Sequence, residues 1–123
     1  MEKALAGEDV ILKSQGFQRY SYCYVADCVS GILKILLDGT SGQAYNLSEE
    51  DEGRTLAGYA EQIAALVGKK VVYQIEEEEA VSKAVYALLN TEKLRSIGWK
   101  PLYSVSEGLE RTYQIYAKRR EQQ

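Results

Sequence analysis

In Gly16-Phe17-Gln18-Arg19-Tyr20-Ser21-Tyr22-Cys23-Tyr24-Val25-Ala26-Asp27 the residues from Arg19 to Val25 alternate. Tyr20, Tyr22 and Tyr24 fall on one side, and Arg19, Ser21, Cys23 and Val25 on the other. This period of two with aromatic enrichment predicts a β-strand over 19–25. At Asp27 the spacing turns helical, so its carboxylate is placed to cap free backbone N–H groups of a helix over 26–38. An arginine held at the start of a strand just after a glycine turn suits bidentate capture of a phosphate or carboxylate. The same pattern also fits a surface arginine whose alkyl stem covers the tyrosines, and the pattern alone favours this surface reading, since most strand arginines are solvated.

Working outward, Met1 to Ala6 reads as the end of a helix closed by Gly7, and 9–13 as a short apolar strand. Val29, Ile32, Leu33 and Leu36 share one face of the 26–38 helix, which Gly39 stops. Gly31 inside it costs helix stability, which points to close packing. A strand over 43–47 follows the Gly39–Gly42 turn. The acidic 48–54 stretch lacks the alternating ligand spacing of a calcium loop and reads as solvated. Thr55 caps a helix with Leu56, Ala60, Ile63, Ala64 and Val67 on one stripe, ended by Gly68, and 70–75 is another strand. The four glutamates 76–79 read as a solvated charge run rather than an acid/base pair. Residues 80–89 fit helix or extended chain equally. Asn90 suits the cap of a short helix over 91–97. Ser104 and Glu107 have capping-box spacing, and the final helix ends in Lys118-Arg119-Arg120, which complement its C-terminal dipole.

The chain has 123 residues, 46% of them hydrophobic, which fits one soluble folded domain or part of a larger one and argues against disorder. Its net charge of −3 and its lack of a basic stripe argue against a nucleic-acid partner. With no histidine and two cysteines outside any CxxC pairing, histidine-based catalysis and the usual zinc sites are excluded within this chain. Two unpaired thiols suit a reducing cytoplasm, and no apolar run is long enough to span a bilayer, so no membrane partner is expected. Met1-Glu2-Lys3 reads as an ordinary start or as a start inside something longer.

Six segments in order carry a resemblance. They are Ala6-Gly7-Glu8-Asp9-Val10-Ile11-Leu12, Gly16-x-x-Arg19-x-x-x-x-Tyr24-Val25-x-Asp27, Gly42-x-Ala44-Tyr45-Asn46-Leu47 and Thr55-Leu56 with Ala60. The last two are Asn90-Thr91-x-Lys93-Leu94-x-x-Ile97-Gly98-Trp99-Lys100-Pro101 and Gly108-Leu109-x-x-Thr112. Together they resemble the C-terminal, substrate-binding part of the extended short-chain dehydrogenase/reductases. The group is the NAD-dependent nucleotide-sugar epimerases, dehydratases and decarboxylases. The wording around Leu12-Lys13-Ser14 and Arg19-Tyr20-Ser21-Tyr22 is most similar to bacterial surface-polysaccharide enzymes.

The resemblance implies an α/β lobe, α+β in detail, with short strands and about four helices. It also implies that the Rossmann half, with its glycine-rich dinucleotide turn and Tyr-x-x-x-Lys pair, is absent. Gly39 to Gly42 precedes an expected strand rather than a helix, and none of the ten tyrosines has a lysine four residues on. NAD is therefore expected in the full-length parent and not in this chain, and no catalytic residue is assigned here. The substrate would be a nucleotide-diphosphate sugar. Arg19 matches the arginine that clasps the diphosphate. The backbone of Ile11 to Lys13 matches the strand against the base, and Leu56 matches an apolar residue on the nucleoside. Many relatives carry a second arginine before the Asn90 equivalent; here Lys83 offers only a point charge in that region.

Without the Rossmann sheet, the 43–47 strand and the neighbouring helix faces lose a partner surface, so a homo-oligomer is expected. Three classes remain open: an inert substrate lobe, a stand-alone nucleotide-sugar-binding module, and a structural subunit docking on a separate Rossmann chain. They part on a longer reading frame, on UDP or dTDP binding that needs Arg19, and on a co-purifying partner.

Overall fold

A computed structural model of the chain describes residues 1–49, 54–75 and 86–122. In order come α1 (Glu2–Leu5), β1 (Val10–Leu12), β2 (Arg19–Tyr20), α2 (Val25–Asp38) and α3 (Leu56–Val67). They are followed by β3 (Val71–Tyr73), β4 (Tyr86–Ala87), α4 (Glu92–Ser96) and α5 (Val105–Glu121). The fold is α/β. The described residues hold five helices against the four or so that the resemblance implies, and the four-residue α1 is the helix end read from Met1 to Ala6.

Helix α3 organises one half. Thr55 caps it, its hydroxyl accepting the Gly58 N–H at 3.1 Å, and Gly68 ends it in the left-handed region at φ 64°. The buried side chains Tyr59, Ala60 and Ala64 face α1, β1, β3 and α5. Alanines on that face let strands β1 and β3 approach closely. These two pair in parallel with Val10 opposite Val71 and Leu12 opposite Tyr73. Ala4 and Leu12 complete this core.

A second cluster ties the chain just after α4 to α2. Leu94 is wholly buried and Trp99 nearly so, with the indole N–H donating to the Ser30 hydroxyl at 3.0 Å. Gly31 packs under them. A Cβ there would come 2.4 Å from Leu47 Cδ1 and 3.2 Å from the Trp99 ring, so the helix keeps a glycine despite its propensity cost.

Several expected elements take a different form. Among the described residues, the strand expected over 19–25 is paired with β4 at Arg19–Tyr20 and bridged to Thr55 at Arg19. Beyond it, the Leu89 N–H turns to the Ser21 hydroxyl at 2.8 Å. The alternating tyrosines then serve tertiary packing, Tyr22 edge-on to Tyr59 at 4.5 Å and Tyr24 edge-on to Tyr103 at 5.4 Å. Asp27 does not cap α2, which begins after Tyr24 with no side-chain cap. Its carboxylate is 1% exposed and accepts the backbone N–H groups of Leu102 at 2.9 Å and Tyr103 at 3.0 Å.

Residues 43–47 carry no strand pairing among the described residues, although Tyr45 and Leu47 are half-buried and Ala44 and Asn46 exposed in strand-like alternation. The strand expected over 70–75 is paired at 71–73. The cap of α4 is Thr91, while the Asn90 side chain accepts the Glu92 N–H at 2.8 Å. The glutamate run 76–79, residues 50–53 of the acidic stretch and the ambiguous 80–85 lie outside the described residues.

Candidate functional site

The candidate site forms where the Gly16 turn meets the start of α3. Gly16 has φ 72°, and a Cβ on it would lie 2.8 Å from both the Cβ and the backbone nitrogen of Ala57. Its carbonyl accepts the Ala57 N–H at 3.0 Å, and the Gln18 carbonyl accepts the Leu56 N–H at 2.9 Å. Arg19 then makes an antiparallel bridge with Thr55 and a parallel one with Tyr86. Its backbone is thus held from two sides while the residue itself is exposed. This is a preorganised place for a guanidinium.

The first-turn N–H groups of α3 are already used. Those of Leu56 and Ala57 go to the turn, and that of Gly58 goes to Thr55. A bound anion at this corner would therefore be held by side chains rather than by the bare helix start that serves phosphate in other folds.

Of the residues singled out from sequence, Arg19 and Leu56 are brought to this corner, Leu56 half-buried as the first residue of α3. Lys13 is exposed just past β1 and lines a different hollow of about 760 Å³ with Ile11, Ile63, Gln74 and Tyr116. Neither Arg19 nor Leu56 is among the residues lining that hollow. Lys83 lies outside the described residues.

Sequence reasoning passes over Arg54, which precedes the Thr55 cap. Its guanidinium lies 5.8 Å from the centre of the Tyr59 ring and donates to the Gln62 side-chain oxygen. That same oxygen accepts the Ser106 hydroxyl at 3.2 Å, tying α3 to α5. The only signal for it was an arginine beside a helix cap.

The remaining motif residues build the scaffold. The Asn46 amide donates to the Asn90 carbonyl at 2.9 Å, and the Lys93 ammonium donates to the Gln43 side chain at 2.7 Å while lying 4.8 Å from the Tyr45 ring centre. The Tyr45 hydroxyl accepts the Thr40 N–H, which holds its pKa below the ordinary phenol value. At Gly108 the α5 backbone approaches the Tyr24 ring so closely that a Cβ would stand 2.9 Å from it.

Chemistry at the Cys23 thiol is disfavoured. Burial, then the negative charge of Asp27, with smaller effects of Cys28 and Glu49, pushes Cys23 up to about 11, so it is protonated at neutral pH. Among the described residues no group of three or more acidic or cysteine side chains could hold a metal ion, and no helix is long and apolar enough to cross a membrane.

Residues 1–48 match the model of the NAD dependent epimerase/dehydratase family. A dTDP-D-glucose 4,6-dehydratase of Mus musculus is 28% identical over 114 residues, covering 87% of this chain and 32% of the mouse protein. UDP-glucuronic acid decarboxylase 1 of Danio rerio is 28% identical over 122 residues, covering 98% of this chain and 28% of the fish protein. The chain therefore spans about a third of the length of these curated relatives.

Among solved structures, dTDP-glucose 4,6-dehydratase from Bacillus anthracis in complex with NAD superposes with a TM-score of 0.82. It is 28% identical, covering 98% of this chain and 38% of that one. UDP-glucose 4-epimerase from Thermotoga maritima with UDP-glucose gives 0.80 at 27% identity, covering 95% and 37%. With the shared motifs now placed on one continuous fold, the chain is similar in sequence and in structure to members of the NAD-dependent epimerase/dehydratase family.

Proposed function

We propose that this chain is the nucleotide-sugar-binding portion of an NAD-dependent epimerase/dehydratase, serving synthesis of surface-polysaccharide precursors in the cytoplasm. The observation that carries the reading is Arg19, exposed yet fixed through its backbone to Thr55 and Tyr86. In this reading its guanidinium clasps the diphosphate and Leu56 packs on the nucleoside. The backbone from Ile11 to Lys13 lies against the base, and Lys83 supplies a second positive charge.

NAD is assigned to a separate portion of polypeptide. Gly39 to Gly42 leads out of α2, the Gly39 N–H closing on the Ile35 carbonyl, and no helix start follows that turn. The residues present therefore do not fit a dinucleotide cradle, which sets a pyrophosphate on a helix N-terminus. Nor do they supply a tyrosine with a lysine four residues on. Alone, the chain binds without turning substrate over, and it self-associates.

The test is titration with UDP and dTDP of the native chain, Arg19→Lys and Arg19→Ala. Loss of a bidentate charge-assisted contact weakens binding by about 1.5–3 kcal/mol, roughly ten- to a hundredfold. Arg19→Lys recovers only part of it, because a point charge lacks the planar fork. Nucleotide binding indifferent to Arg19 contradicts the assignment.

A further inference from the structure

Two exposed aromatic side chains flank Arg19, one along the chain and one across it. The Gly16 and Gln18 carbonyls both accept N–H groups from the first turn of α3, which draws 16–20 out as extended chain. Burial alternates along it: Gly16 is buried and Gln18 and Tyr20 half-buried, while Phe17 and Arg19 are exposed. Phe17, 70% exposed, therefore shares a face with Arg19, about 7 Å along the chain. Across the chain, the parallel register of β2 and β4 sets Tyr86 beside Arg19 on that same face, one ladder spacing of about 4.8 Å away. Tyr86 is 67% exposed.

The face thus presents a ring, a guanidinium and a second ring in that order. A purely apolar occupant would strip water from the Arg19 charge without replacing its hydrogen bonds. The occupant that suits all three groups carries an anion with a ring on either side of it. A nucleoside-diphosphate sugar has this order: base, diphosphate, hexose. Bases stack on aromatic faces, and the negative face of a tyrosine ring attracts the polarised C–H groups of a pyranose. The ends are distinguishable. Phe17 lies on the α3 side, where the Gln18 carbonyl bonds the Leu56 N–H, and Tyr86 lies on the opposite edge, in β4.

We propose that Phe17 stacks on the base and Tyr86 on the hexose ring of one nucleoside-diphosphate sugar. The inference rests on the reading of Arg19 as the diphosphate clasp and adds the two ring platforms. It makes the sugar a recognised part of the ligand, because Tyr86 has nothing to stack on in a bare nucleoside diphosphate.

The experiment is calorimetric titration with UDP and with UDP-glucose of the native 123-residue chain, Phe17→Ala, Phe17→Trp, Tyr86→Ala, Tyr86→Phe and Arg19→Ala. Both ring positions are exposed, and circular dichroism verifies that each variant is folded. Phe17→Ala is expected to weaken UDP and UDP-glucose alike, by about tenfold. Tyr86→Ala is expected to weaken UDP-glucose roughly threefold while leaving UDP unchanged. Phe17→Trp and Tyr86→Phe keep a ring face and should hold native affinity. Native affinity for UDP-glucose in either alanine variant overturns the proposal. If Arg19→Ala still weakens binding in that case, the diphosphate reading stands and the rings serve a protein contact instead. Binding indifferent to Arg19, or a native chain that binds neither compound, overturns both.

Discussion

Asp27 ties the first third of the chain to its last quarter, accepting two backbone N–H groups from 75 and 76 residues away. Asp27→Ala takes the acceptor from the Leu102 and Tyr103 N–H groups. A loss of about 2–4 kcal/mol in urea unfolding is expected, with Asp27→Asn intermediate because its amide keeps one acceptor oxygen. Cys23 gives a pH signature. Its thiol is raised from 9.0 to about 11, so the folded state holds that proton more tightly than the unfolded state between those values. Its contribution is complete below pH 9 and is lost as pH rises toward 11. Thermal melts of Cys23→Ala should accordingly fall less steeply than the native chain over that interval. At this scale the sequence spoke clearly about residue types and less clearly about their work. Asp27 looked like a helix cap because it stands where the periodicity changes, and its true acceptor role depends on residues 102–103, which no local pattern shows.

Element ends were the most legible feature. The Ser104 capping box is present as its spacing predicts: the hydroxyl accepts the Glu107 N–H at 3.2 Å, and the Glu107 carboxylate accepts the Ser104 N–H at 2.7 Å. The hydrogen bonds from Ser104 hold the Glu107 carboxyl below its usual range. Ser104→Ala should cost about 1 kcal/mol. The box's contribution is intact above the ordinary glutamate value of 4.5 and fades as pH falls through the lower folded value. Gly108→Ala is expected to be worse than its helix propensity suggests, by about 1–3 kcal/mol of overpacking, because the new Cβ meets the Tyr24 ring. Both are read from denaturation midpoints. Strand extent was legible only in part. Alternation over 19–25 is real in the sequence, but ladder length is set by the partner, and among the described residues β4 pairs with two. The alternation over 43–47 likewise finds no partner strand among the described residues. The apolar stripe of α2 was legible as a stripe, while its outward direction follows from Gly31 and Asp27 taking the inward side.

At the scale of the whole molecule, one small core gathers on α3 and another about Leu94 and Trp99, and the resembling motifs mostly build that scaffold: Trp99 on Ser30, Asn46 on Asn90, Gly108 on Tyr24. Their order along the chain made the family legible before any geometry. Of the residues singled out from sequence, Arg19 and Leu56 stand near each other at the Gly16 turn, while Lys13 at the end of β1 lines a separate hollow, a placement that no local pattern shows. On the proposed reading a nucleotide half-site lies in this chain while dinucleotide binding belongs elsewhere. Paired calorimetric titrations of the native chain with UDP and with NAD test this most directly. Saturable heat with UDP and none with NAD is the predicted result; saturable NAD binding, or silence toward UDP and dTDP alike, would contradict it.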